Sequence, residues 1–201
     1  INYGLVTGMT LNFTRDECTL QGTMLGKALV DNQALTSLTS SDEIALIPVM
    51  PTQVAIYLAD TAAGLAGATA LSRAFSGSFT LENLTGPIYP LNQSSSFAAM
   101  VETEPTGTAQ FMAAVDTEGM AALTNLRAGS TKFLRIKAVG ALITGSDYYT
   151  LTVDAALKIT RPQEFRDEQG VYAVGWEGEL THDSTWGKAC EIAVINTLTA
   201  L

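Results

Sequence analysis

Charge is scarce in this sequence. Of 201 residues only 15% are charged, against 47% hydrophobic, and the basic side chains are the scarcer kind: 11 Lys and Arg against 20 Asp and Glu, for a formal net charge of -9. That shortage argues against stable binding to nucleic acid or acidic membranes, because phosphate contacts need a basic footprint. Cysteine is almost missing. Cys18 and Cys190 are too few for a disulfide scaffold or a zinc site, which fits a reducing compartment. No apolar run approaches the roughly 18–20 residues of a membrane-spanning helix. Low-complexity tracts, an internal repeat and a domain boundary are also missing, so the chain reads as a single domain, 1–201. The apolar content excludes disorder. A chain of this length buries on the order of 70% of the surface its unfolded form exposes. It begins at Ile1 rather than Met, which leaves a removed leader or N-terminal arm open.

What the sequence does contain is apolar alternation of period two, the mark of strands with one buried face. Met9, Leu11 and Phe13, then Cys18, Leu20, Gly22 and Met24, flank the polar turn Arg15-Asp16-Glu17 and predict a hairpin. Val54, Ile56 and Leu58 predict another strand, followed by an Ala/Gly-rich stretch, 60–70, read as a loop. Phe75, Gly77, Phe79 and Leu81 restore the alternation, which Gly86, Pro87 and Pro90 should end. Strands are expected near 97–103 and 108–115. One helix is expected at about 117–128, with Asp116 as N-cap, Glu118 complementing the dipole, the stripe Met120, Leu123, Leu126, and Gly129 as terminator. Leu134, Ile136 and Ala138 alternate with Phe133, Arg135 and Lys137. Tyr149 to Ile159 keep one parity so long that the strand either bends between two sheets or projects beyond one. Residues 161–170 are polar, contain Pro162, and read as a connection. Tyr172, Val174, Trp176, Gly178 and Leu180 alternate again, and 190–195 is a more fully apolar last strand. The fold class is therefore mainly β, a two-sheet β-sandwich or barrel with one flanking α-helix. The long connection 31–50 is unusual in a compact domain and is expected to make an interaction.

Catalytic chemistry has little to stand on. His182, Asp183 and Ser184 spell a triad, but neighbours in an extended chain point to opposite sides and cannot form the relay. Gly22, Gly26 and Lys27 fail the phosphate-loop spacing, and Ala28 stands where a hydroxyl is needed. Glu177 and Glu179 lie two apart on a strand, about 7 Å on one face, a spacing open to a glycosidase pair but more simply that of a solvated face. Tyr172, Trp176 and Trp186 are candidates for a sugar platform, though a Trp on the apolar parity of a strand is more often core. Asn12, Asn83 and Asn92 open glycosylation triplets of the kind that arise by chance in a Ser/Thr-rich chain. No metal-ligand cluster is written, so no cofactor and no enzyme activity are expected.

Four stretches carry a resemblance. They are Val54-Ala55-Ile56-Tyr57-Leu58-Ala59-Asp60 running into Thr61-Ala62-Ala63-Gly64-Leu65; Leu81-Glu82-Asn83-Leu84-Thr85-Gly86-Pro87-Ile88-Tyr89-Pro90-Leu91-Asn92; Gly119-Met120-Ala121-Ala122-Leu123 through Leu126-Arg127-Ala128-Gly129-Ser130-Thr131-Lys132-Phe133-Leu134-Arg135; and Tyr172-Ala173-Val174-Gly175-Trp176 with His182-Asp183-Ser184-Thr185-Trp186-Gly187-Lys188-Ala189. Together, over about positions 50–201, the chain resembles the tail tube (major tail) proteins of long-tailed bacteriophages. Residues 1–50 share with them only a hairpin followed by a long loop.

The resemblance implies a virion structural protein: a β-sandwich flanked by a helix, assembled as homo-hexameric rings stacked into a tube that conducts DNA during ejection. Implied partners are copies of itself, a tape measure protein, and tail terminator and tail tip proteins, with DNA only in transit and no membrane. Assembly would occur in the host cytoplasm. On this reading Tyr148 to Ile159 should offer an unpaired ladder to a neighbour. Some of Glu17, Asp154, Glu177 and Glu179 are expected to line the lumen, repelling phosphate so that DNA slides, the alternative for each being a solvated place on the outer surface. Leu35, Leu38, Ile44, Leu46 and Ile47, too apolar for a free solvated loop, are the candidate ring-stacking residues, the alternative being that they fold back on their own core. The alternative is a carbohydrate-binding β-sandwich module.

Overall fold

Period-two patterning produces strands over most of the chain. The computed structural model describes residues 4–27, 48–91 and 97–197. Strands β1 (Gly4–Phe13) and β2 (Cys18–Gly26) form the expected hairpin, its turn closed by the Thr14 N–H donating to the Glu17 carbonyl at 2.8 Å. There follow β3 (Val54–Ala59), a 3-10 turn (Ala63–Ala66), β4 (Ala74–Glu82), β5 (Thr85–Ile88), β6 (Ala99–Glu102), β7 (Thr106–Ala114), helix α1 (Thr117–Ala128), β8 (Thr131–Thr144), β9 (Asp147–Glu168), β10 (Val171–Leu180) and β11 (Cys190–Ile195). The Asp116 carbonyl accepts the first helical bond, from Met120 N–H at 2.9 Å, and Gly129, at φ +60, ends α1 as a left-handed terminator. Leu123 and Leu126 of α1 pack against the core.

The long parity of β9 is the key to the architecture. Residues 147–158 pair with β8 along one edge. On the opposite edge residues 150–155 pair with β11 and residues 157–168 with β10. All pairing is antiparallel, in the order β2-β1-β4-β7-β10-β9-β8-β3, with β11 also on β9. The path thus reads as a four-stranded sheet, β3-β8-β9-β11, and a six-stranded sheet, β9-β10-β7-β4-β1-β2, joined by their common strand. One core cluster contains Ile56, Leu134, Ile136 and Val153 from the first with Leu11, Phe13, Phe79, Phe111 and Trp176 from the second, so the two halves face each other as an open sandwich. Register shifts opposite Val174/Trp176 and Glu177/Gly178 lie where β9 passes from one half to the other. The extra residues of such bulges add twist and bend the strand. A separate two-stranded sheet, β5 with β6, is held to β1 by Thr85 Oγ1 donating to the Val6 carbonyl at 2.8 Å and Leu84 N–H to the Thr7 carbonyl at 3.2 Å.

Three expectations need correction. Residues 161–168 are not a connection but the second half of β9; the real turn is at Gln169 and Gly170, both at positive φ. Pro162 is tolerated because this half of β9 is paired on one edge only among the described residues, so a missing donor facing the other edge breaks no ladder bond. Gly86 and Pro87 do not end a strand; they lie in β5, and the break comes earlier, at Asn83, whose φ is +56. Tyr148 to Ile159 offers no open ladder, since β8 pairs along it on one side and β11 and β10 on the other. Leu35, Leu38, Ile44, Leu46 and Ile47 lie outside the described residues.

Gly77 sits in register between Phe13 on β1 and Phe111 on β7, and the Phe13 ring lies over it where a Cβ would project. The Gly77→Ala substitution therefore forces the ring out of its rotamer or the strands apart. It is expected to lower the unfolding free energy by about 1–3 kcal/mol, read as a reduced denaturant midpoint at unchanged m-value.

Candidate functional site

The apparent catalytic letters are structural. Asp183 Oδ1 accepts the Trp186 N–H at 2.7 Å and its carbonyl accepts the Gly187 N–H at 2.8 Å, with Gly187 at φ +75. His182 is exposed beside this tight turn. Both thiols are half-buried and burial pushes both above the ordinary cysteine value, which disfavours the thiolate a nucleophile needs. Gly22 and Gly26 are part of β2. Among the described residues there is no cluster of three His, Cys, Asp or Glu fit to hold a metal ion.

The three aromatics of the supposed sugar platform have different surroundings. Trp176 is buried in the main core, with its Nε1–H unpartnered. Trp186 packs edge-on against Phe133 at 5.7 Å beneath the Lys188 ammonium at 5.6 Å. Tyr172 is exposed. Phe133 belongs with Leu65 and Ala156 to a small second core on the outer face of β8, which the Ala/Gly-rich stretch 60–70 had concealed.

The four candidate carboxylates divide in two. Asp154 is gripped by Arg135, Nε to Oδ1 and Nη2 to Oδ2 both at 2.7 Å, while Nη1 donates to the Leu65 carbonyl at 3.3 Å. The bond to Asp154 raises the Arg135 guanidinium above its ordinary value. This fork pins the 3-10 turn over the outer face of β8, a structural task. Glu177 is held by Arg161 through Nε and Nη2 at 2.8–3.0 Å and by Gln110 at 3.4 Å. Glu17 and Glu179 are exposed, the first in the β1–β2 turn. Glu179 lines an open cleft of about 480 Å³ together with Glu82 and Glu104.

Strand edges distinguish this surface more than any side-chain cluster does. The outer edge of β3 is covered from within, by the Leu71 N–H on the Ile56 carbonyl at 2.8 Å and a bridge from Tyr57 to Ala70. The open edge of β9 carries Arg161, Pro162, Glu164, Arg166, Asp167 and Glu168, the charges and proline that discourage edge pairing. Among the described residues strands β2 and β11 have neither protection. Among the described residues β2 pairs only with β1, and β11 only with β9. No residue of β2 is charged; the one charge of β11, Glu191, binds Lys188 at 2.8 Å.

Their side chains are placed alike. Cys18 and Leu20 lie opposite the buried Phe13 and Leu11 and face the sandwich interior, while Met24 lies beyond a register shift, opposite the exposed Val6. Yet Leu20 is 64% and Met24 67% exposed. Similarly Cys190 and Ile192 lie opposite the buried Ala155 and Val153, with Val194 opposite Leu151, and Val194 is 60% exposed. Among the described residues each of these strands is thus an apolar ledge: a half-buried cysteine followed by exposed hydrophobics. The sequence signal for both was the lack of charge in 18–26 and its near lack in 190–195.

A comparison with models of known protein families gives no match, and a comparison with curated proteins gives none either.

Removing one partner of the Arg135–Asp154 fork leaves the other charge half-buried without compensation. Asp154→Asn is expected to cost about 1–3 kcal/mol in chemical unfolding, whereas Glu179→Gln, on an exposed carboxylate, should stay within about 0.5 kcal/mol.

Proposed function

We propose that this chain is the subunit of a bacteriophage tail tube, a virion structural protein that assembles with copies of itself into stacked rings enclosing a channel for DNA ejection. The observation that carries the reading is the pair of ledges. Two strand edges with next to no charge, and with backbone and apolar side chains left uncovered among the described residues, are an aggregation hazard on a monomer. In a ring the same features are the joints, because rotation about one axis lets each subunit close its neighbour's sheets.

The four stretches that resemble tail tube proteins support the same reading and supply its detail: hexameric rings, a tape measure protein inside the tube, terminator and tip proteins at its ends. The charge balance suits a conduit. With a net charge of -9 and the exposed Glu17 and Glu179 as candidate lumen groups, the bore repels phosphate and gains nothing from counterion release, so DNA passes without being held. Asp154 and Glu177, each tied to an arginine, contribute less to that wall than their sequence positions suggested. The reading requires no turnover and no cofactor. A carbohydrate-binding module would need an exposed aromatic platform, and the burial of Trp176 removes the centre of the one that was considered.

Negative-stain electron microscopy of the purified protein at high concentration tests the proposal. Hollow rings or tubes of uniform diameter are expected; a monodisperse monomer at every concentration would overturn it.

A further inference from the structure

We propose that the strand completing β2 is β11 of a second copy, so that one repeated head-to-tail contact serves both open edges. The inference rests on the self-assembly proposed above and adds to it which edge meets which. The two ledges match in chemistry and in facing. Joined side by side, β2 and β11 extend the six-stranded sheet of one copy into the four-stranded sheet of the next, with Cys18 and Leu20 on the same face as Ile192 and Val194. Each apolar ledge then covers the other, and backbone groups of both strands enter a ladder, the mode of recognition by strand addition.

Like-with-like pairing is poorer on both sides. A two-fold contact between two β11 strands brings two Glu191 carboxylates into one six-residue ladder, while β2 has no charge to set against Glu191. A two-fold contact between two β2 strands about Gly22 puts the residue without a side chain at the centre of the interface, where packed side chains contribute most. The charged edge of β9 is unsuited to either role. One heterologous contact whose rotation closes makes a ring and leaves neither β2 nor β11 bare, whereas two alternating two-fold contacts build an open chain.

The test uses Leu20→Lys and Val194→Lys, each placing a charge on one exposed ledge position, with Glu164→Lys on the β9 edge as control. By sedimentation velocity each ledge variant alone is expected to remain a monomer, because one half of every contact is spoiled. Mixed one to one they should form a heterodimer and nothing larger, through the intact β11 of the first and the intact β2 of the second; this also shows that both are folded. Glu164→Lys should assemble as the unmodified chain does. Homodimers of either ledge variant alone, with nothing gained on mixing, would overturn the inference in favour of like-with-like pairing. Ledge variants that assemble normally would overturn it while leaving the tube reading standing, and an unmodified chain that stays monomeric would overturn both. Should Lys at these positions prevent folding, Leu20→Thr and Val194→Thr should give the same heterodimer with a weaker loss of self-assembly; normal self-assembly of each Thr variant would count against the pairing.

Discussion

An edge strand presents a row of N–H and C=O groups that must bond to a further strand or to water, and when its inner face is also apolar, water is a poor substitute. That constraint organises this molecule. It is met internally along β9, which is flanked on both sides where it runs through the four-stranded half. It is met by a returning segment at β3 and by charge and proline on the second half of β9. Among the described residues neither device is present at β2 and β11, and these are the edges proposed to be completed between copies.

The remaining features hold the two halves of the sandwich together. Because β9 belongs to both halves, bulged where it crosses, the two sheets cannot slide independently. The core they share is dominated by large side chains without a polar end, Phe13, Phe79 and Phe111 among them, with Gly77 leaving room for the Phe13 ring. On the outer face of β8 the Arg135–Asp154 fork and the small core of Leu65, Phe133 and Ala156 clamp the 3-10 turn.

Much of the fold was legible in the sequence, since strands, the 4–26 hairpin and α1 announce themselves by period and by capping residues. The bend of β9 was visible as a parity kept from Tyr149 to Ile159. Its continuation through Arg161 and Pro162 was not, because polar residues and proline mark turns and exposed edges equally well. The acids were legible only as charge. Whether Asp154 meets Arg135, or Glu179 stays bare, depends on pairing register, which period alone does not fix. The ledges were hidden for a related reason: Leu20 and Val194 read as ordinary core positions, and only the pairing order reveals that nothing among the described residues stands opposite them.

The central claim is that the edges of β2 and β11 are completed between copies. Hydrogen–deuterium exchange of the same protein, dilute and then concentrated, measures this at the backbone. Amides of 18–26 and 190–195 should exchange markedly more slowly in the concentrated sample, while those of 161–168 keep their rate. Equal protection of β2 and β11 at both concentrations would contradict the account.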